Sequence, residues 1–239
     1  MKKIAILQSN YIPWKGYFDL INMVDTFVIY DDIQYTRRDW RNRNRIKTQN
    51  GTKWLSIPVE VKGKFQQRIN ETQISDNKWN KNHWETIKNV YTKAPHFKAY
   101  KPYFEDLYLN TTTPFLSEIN YQFITAINQL LGIKTELVHS STIEASGKKT
   151  DRLLDICEQL GANSYLSGPA AKNYLIEEKF EEKNIRVEWM DYSGYKEYPQ
   201  LHPPFEHGVT ILDLIFNVGP DAIQYMKSFD KKSAESKLR

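Results

Sequence analysis

Short apolar runs alternate along this chain with longer stretches of helical spacing, and the alternation predicts a repeated strand–helix unit. Residues 3–8 are an apolar run ending on polar side chains, the pattern of a buried strand. Residues 16–24 place Phe18, Ile21, Met23 and Val24 on one helical face, and residues 27–30 form a second apolar run closed by Asp31 and Asp32. Strand, loop, helix and strand within about thirty residues make a βαβ unit, which implies parallel pairing. Asn50-Gly51 separates two alternating stretches, 43–47 and 53–59, and predicts a hairpin. Residues 62–70 read as polar loop.

Helical spacing returns over 77–93, stopped by Pro95, over 100–109 as a short helix after Pro102, and over 115–131, which Gly132 caps. A third parallel-type strand is expected at 135–138, a helix at 149–160, and a fourth strand at 163–166 opening into Ser167-Gly168-Pro169. A helix at 174–183 and a fifth strand at 186–190 follow, then a Gly/Pro/His/Tyr-rich loop over 193–208 and helices at 209–217 and 219–228. The chain is therefore expected to be α/β, one domain over 1–239. A hairpin and helical insertion spans about 36–131, and a charged tail over 229–239 is predicted to fray.

Composition narrows the classes. The 239 residues are 40% hydrophobic and 26% charged, ordinary for a globular protein. Fifteen tyrosines suit wet clefts as well as cores. A net charge of +4 is too small to argue for nucleic acid by itself. The single cysteine, Cys157, excludes an intrachain disulfide, and its place on an apolar helical face marks it as a core residue rather than a nucleophile. The first apolar run covers only 4–7, shorter than an export signal or a membrane span, so residence in the cytoplasm is expected.

In an open parallel sheet, ligands sit beyond the carboxyl ends of the strands. The expected strands deliver Gln8, Asn10 and Tyr11; then Asp31, Asp32 and Gln34; then His139; then Ser167 and Gly168; then Asp191 and Tyr192. Each hands polar residues to the same edge. Where the first strand turns into the first helix, Pro13 stiffens the turn, Gly16 permits tight entry, and the helix start offers free N–H groups to an anion. In shape this turn is similar to the nucleotidyltransferase and class I synthetase signature, a Rossmann-like (HUP-like) core. Trp14 and Tyr17 stand where that signature has histidines, which argues against adenylate-forming chemistry. The plainer reading is that Pro13 and Trp14 only pack the turn. Adjacent carboxylates on a strand point to opposite faces, so one of Asp31 and Asp32 at most faces a ligand; capping is the plainer role.

Residues 36–47 are the densest feature: five arginines and one lysine around Trp40. In a hairpin, Arg41, Arg43 and Arg45 share a face that Lys47 continues, and such a row repels itself unless an anion or acidic partner neutralises it. Arginine suits bidentate capture of phosphate. A nucleotide-activated sugar fits, and so does RNA. His83 lies in a helix with Trp79 and Trp84, as a packed residue or as a base. His202 and His207 lack the partners of a zinc site, so no metal and no cofactor are expected.

The segments KIAILQSNYIPWKGYFDLI, FVIYDDIQYTRRDWRNRNRIKTQNG, WLSIPV, YLSGPAAKNYL, and YPQ with FNVGPDAI resemble successive motifs of the WbqC-like family, in order and over nearly the whole chain. Ser9 falls where that pattern has a proline, and is expected only to loosen the turn. The resemblance implies a bacterial protein of O-antigen, lipopolysaccharide or capsule assembly. It implies a transferase that puts an N-acyl or N-aminoacyl group, glycyl among them, on a nucleotide-linked amino sugar. In that scheme Arg38, Arg41, Arg43 and Lys47 hold phosphates, and Asp31, Asp32 or His83 takes a proton. Gln8, Tyr11 and Ser167 position the substrate, while Asn10, Trp14, Tyr17, Gln34, Trp40, Asn42, Gly168 and Tyr198 line the site. The partners are the sugar nucleotide or another phosphate-bearing small molecule, and an acyl or aminoacyl donor whose carrier is open, RNA included. A homo-oligomer is compatible with this. Two rivals stand beside it: an ATP-using nucleotidyltransferase-like enzyme, and a non-enzymatic binder of RNA or an acidic partner.

Overall fold

In the computed structural model, which describes residues 1–229, the elements run β1 (Lys3–Leu7), α1 (Lys15–Asn22), β2 (Thr26–Ile29), β3 (Arg43–Thr48), β4 (Gly51–Ser56) and α2 (Trp79–Tyr91). They continue with α3 (Phe97–Leu109), α4 (Leu116–Leu131), β5 (Glu136–His139), α5 (Thr150–Gln159), β6 (Ser164–Ser167), α6 (Glu177–Glu181), β7 (Arg186–Trp189) and α7 (Ile211–Val218). Five strands form one sheet in the order β5-β2-β1-β6-β7, every pairing parallel, and β3 and β4 form a separate antiparallel hairpin. This is the expected α/β fold with a Rossmann-like core.

The period-two pattern of the strands explains why the sheet is covered on both faces. Ile4, Ile6, Val28 and Tyr165 point into a core with Leu153, Ile156, Cys157 and Phe180 from α5 and α6. Ala5, Phe27, Ile29 and Leu166 point the other way, into a larger core with Phe18 and Ile21 of α1, Ile124 and Ile127 of α4, and Phe216 of α7. Cys157 is buried in the first of these cores, and burial pushes its thiol up to about 12, the inert state expected. Between β2 and β5 the chain leaves the sheet through the hairpin, then α2, α3 and α4, before returning. Gly132 ends α4 in the left-handed conformation, as predicted.

Three expectations need correction. Helix α3 starts at Phe97 and carries Pro102 inside it, rather than starting after the proline. The helix expected over 174–183 is only α6, preceded by a 3-10 turn over Pro169–Asn173, because Tyr174 leaves helical geometry and Ile176 is extended. The last predicted helix is a 3-10 segment, Gly219–Tyr225; at Gly219 the φ is +60°, and a Cβ there would meet the His96 ring at 2.3 Å. The tail predicted over 229–239 lies, apart from Phe229, outside the described residues.

Candidate functional site

The chain passes from β1 to β2 in one direction across the sheet and from β5 to β6 in the other, so the strand order reverses between β1 and β6. In doubly wound sheets that reversal opens the ligand crevice. Pairing of β1 with β2 runs from Ile4 to Leu7, while pairing of β1 with β6 is confined to Lys3–Ser164 and Ile4–Tyr165. Beyond the carboxyl ends lies a cavity of about 430 Å³, lined among others by Gln8, Tyr30, Arg41, Lys149, Ser167, Gly168 and Tyr174.

Arg41 is carried into this crevice from the loop before β3. Its Nη2 donates to Gln8 Oε1 at 3.2 Å, its Nη1 donates to Asn10 Oδ1, and Asp39 lies 3.6 Å away. Asn120 of α4 fixes the backbone beneath it, donating to Arg41 O at 2.8 Å and to Ser9 Oγ at 2.9 Å. Lys149, at the start of α5, contributes a second positive charge, and it makes no ion pair among the described residues. Charge-assisted, fork-shaped donors of this kind match a phosphate.

A second cavity, of about 270 Å³, has Asn10, an acceptor of Arg41, in its lining. It is lined by Asn10, Pro13, Trp14, Trp40, Asn44, Arg45, His207 and Gly208. Two glycines shape it. A Cβ on Gly16 would fall 2.4 Å from the Trp14 indole, and a Cβ on Gly208 would fall 2.2 Å from Arg45 Nη2. Trp14 therefore folds over Gly16, flanked by Tyr192 and Tyr195 at 5.3 and 5.4 Å between ring centres. That placement overturns one expectation: the α1 start, with Lys15 and Gly16 buried, is covered by indole and not open to an anion.

Among the described residues, non-glycine positive φ occurs at Lys149, 50°, in the crevice lining, and at Ile12, 37°, next to Pro13 of the second cavity. A β-branched residue in that region is strained and needs outside support. Asn44 supplies it at Ile12, donating from Nδ2 to Tyr11 O and Ile12 O at 3.1 and 2.9 Å, and Tyr11 N donates to Trp40 O at 3.1 Å. Ser9 also does more than loosen the turn. Its N–H, which a proline lacks, donates to Asp31 Oδ1 at 2.8 Å.

The structure brings Gln8, Arg41, Ser167 and Gly168 together in the crevice, and Asn10, Trp14 and Trp40 in the neighbouring cavity. It does not bring the rest there. Asp31 is 2% exposed, with Oδ1 on Ser9 N and Oδ2 on the Ser117 hydroxyl. Asp32 accepts from Ser140 Oγ and pairs with Arg152. His83 is buried between Tyr11 OH at 2.9 Å and Ser56 O at 3.2 Å, and Tyr11 OH also meets Tyr108 OH at 2.8 Å. Burial pushes the His83 imidazole down to about 4. Lys47 is 4% exposed, and its charge acts on buried Asp213, which also accepts from Tyr91, Tyr198 and Gln200. Tyr17 donates to Gln8 O, Asn42 ties its amide to Ile57 O, and Gln34 reaches Phe65 O.

The arginine row divides. Arg41 precedes the strand. Arg43 stacks on Trp54 at 4.2 Å and donates to Arg38 O, while Arg45 donates to Gly208 O at 2.9 Å and lies 3.9 Å from Glu206. Arg38 itself is exposed. Lys149, Tyr30 and Tyr174 were outside the sequence expectation. Tyr30 adjoins the Asp pair already in view and Tyr174 falls within the quoted YLSGPAAKNYL segment, whereas Lys149 sits in a stretch with no pattern beyond an ordinary helix start. Among the described residues no helix is long and apolar enough to cross a membrane.

The sequence matches the WbqC-like protein family over residues 8–225. It is 50% identical over 227 residues to the uncharacterized protein Rv1507c of Mycobacterium tuberculosis, covering 95% of this chain and 98% of that one. No solved structure matches.

Proposed function

The chain belongs to the WbqC-like protein family, and from that premise we propose that it is a transferase of bacterial surface-polysaccharide assembly, acting on a nucleotide-linked amino sugar. The single observation that carries this reading is Arg41, pinned by Gln8 and Asn10 in the lining of the switch-point crevice, which also holds Lys149. Both cations suit a diphosphate, Ser167 and Tyr174 offer hydroxyls to a sugar, and the crevice has the volume of a ligand of that class.

The transferred group is an acyl or aminoacyl group. The sugar nitrogen attacks the acyl carbonyl, the C–N bond forms as the bond to the carrier breaks, and the amine proton leaves to the carrier or to solvent. Asp31, Asp32 and His83 all have other partners, so rate comes chiefly from holding two reactants in line. Such alignment is worth as much as about 7–11 kcal/mol. The protein acts in the cytoplasm, where sugar nucleotides and activated acyl groups are made.

The test is to incubate the protein with an amino-sugar nucleotide and acyl-coenzyme A or aminoacyl-RNA donors and to follow the sugar nucleotide by mass spectrometry. A mass gain equal to one acyl or aminoacyl group supports the reading; an unchanged mass with every donor contradicts it. A second reading is favoured by the strand order, which an ATP-using nucleotidyltransferase would share. It predicts magnesium-dependent release of pyrophosphate from ATP.

A further inference from the structure

We propose that the cavity between Trp14 and Trp40 is a second binding site, and that it receives the planar heteroaromatic ring of a nucleotide-sized ligand, a nucleobase stacked on Trp40. The inference extends the reading above, because it gives the transferase a separate place for the base of one of its two substrates.

Several features point to a flat, neutral ring. The lining surface is mostly apolar and includes the indoles of Trp14 and Trp40 and the ring of Pro13. Trp40 is 40% exposed, and one side of it is already covered by Trp54 at 5.3 Å between ring centres. Trp14 is fixed by Tyr192 and Tyr195 and by the absence of a Cβ on Gly16, so its indole is preset rather than mobile. Arg45 lies 5.9 Å from the Trp40 ring centre and can cover the edge of a stacked base. Polar groups for a ring edge are present too. Asn10 commits Oδ1 to Arg41, while its Nδ2 donates to nothing among the described residues. His207 also lines the cavity, and burial and the Lys15 charge lower its pKa, which leaves it neutral at pH 7.

The same features argue against a nucleic-acid strand. Two of the hairpin cations that would track a backbone are already engaged: Arg45 lies near Glu206 at 3.9 Å, and Arg43 lies on Trp54. A cavity of about 270 Å³ holds one base and not a run of them.

The experiment titrates adenosine, uridine and inorganic pyrophosphate separately into the full chain and into Trp40→Ala and Trp40→Phe, reading tryptophan fluorescence and calorimetry. One of the nucleosides is expected to bind the native protein, about tenfold or more weaker to Trp40→Ala and intermediately to Trp40→Phe, because a base–aromatic stack is worth about 1–3 kcal/mol. Pyrophosphate is expected to bind all three alike, which also shows that the variants fold. Failure of both nucleosides to bind the native protein, or equal nucleoside affinity in Trp40→Ala, overturns the proposal. A single-stranded hexaribonucleotide that binds more than about tenfold tighter than the nucleosides, with a steep salt dependence, overturns it in favour of a strand. Nucleoside binding without pyrophosphate binding would count against the crevice as a phosphate site and leave the base site standing.

Discussion

Gln8 and Arg41, 33 positions apart in sequence, meet at 3.2 Å between Oε1 and Nη2. The contact joins the exit of the first sheet strand to the entry of the hairpin. It also links the linings of the two cavities, since Gln8 and Arg41 line one and Asn10, the other acceptor of Arg41, lines the second.

Arg41 and Arg43 should therefore behave differently despite their near-identity in sequence. Arg41→Ala is expected to weaken binding of a nucleoside diphosphate by at least about tenfold, as loss of a charge-assisted contact does. Arg43→Ala is expected to leave it unchanged, because that guanidinium lies on Trp54. Calorimetry on the two variants decides the matter.

Asp31 should be a stability residue. Removing its carboxylate strands the buried Ser9 N–H and the Ser117 hydroxyl. Asp31→Ala is expected to cost about 3 kcal/mol, read as a lower urea midpoint, since hydrogen bonds to a charged group contribute about 1.5–3 kcal/mol and orphaned donors add to the loss. A variant of native stability would contradict this.

His83 gives the fold an acid sensitivity. Its folded pKa is lowered by burial to about 4, from the ordinary 6.5 of the unfolded chain. Below 6.5 the unfolded state takes up a proton that the folded state refuses, so this contribution to stability is complete above pH 6.5 and is lost as the pH falls toward 4. The total change is about 3 kcal/mol at most. His83→Gln is expected to flatten the slope of stability against pH in that window, measured by urea unfolding at several pH values.

Gly16→Ala is expected to displace the Trp14 indole, which lies 2.4 Å from the new Cβ position. Overpacking of this kind costs about 1–3 kcal/mol. A lower melting temperature together with altered tryptophan fluorescence would show it; an unperturbed spectrum would contradict it.

Much of the frame was legible in the sequence because strand and helix periods are local. The runs at β1, β2, β6 and β7, the Asn50-Gly51 hairpin and the α4 stripe with Gly132 all appear near their predicted positions. The side-chain partnerships were not legible, because they depend on chain segments far apart in sequence. Lys47 reads as the end of an exposed cationic row, yet Ile46 and Lys47 are both buried, and the Lys47 charge acts on buried Asp213. Asp31 reads as a strand-end acid, yet Ser117, 86 positions later, claims it. Lys149 lies in the crevice only because α5 packs across the sheet beside β6. Gly16 was read as a way into the helix, whereas its missing Cβ makes room for Trp14.

The most direct test of the phosphate crevice is a crystal structure of the protein with a uridine diphosphate-linked amino sugar. The diphosphate is expected between Arg41 and Lys149, beyond the carboxyl ends of β1 and β6 and within reach of Ser167. A diphosphate seated instead on the Arg43 and Trp54 face of the hairpin would contradict it.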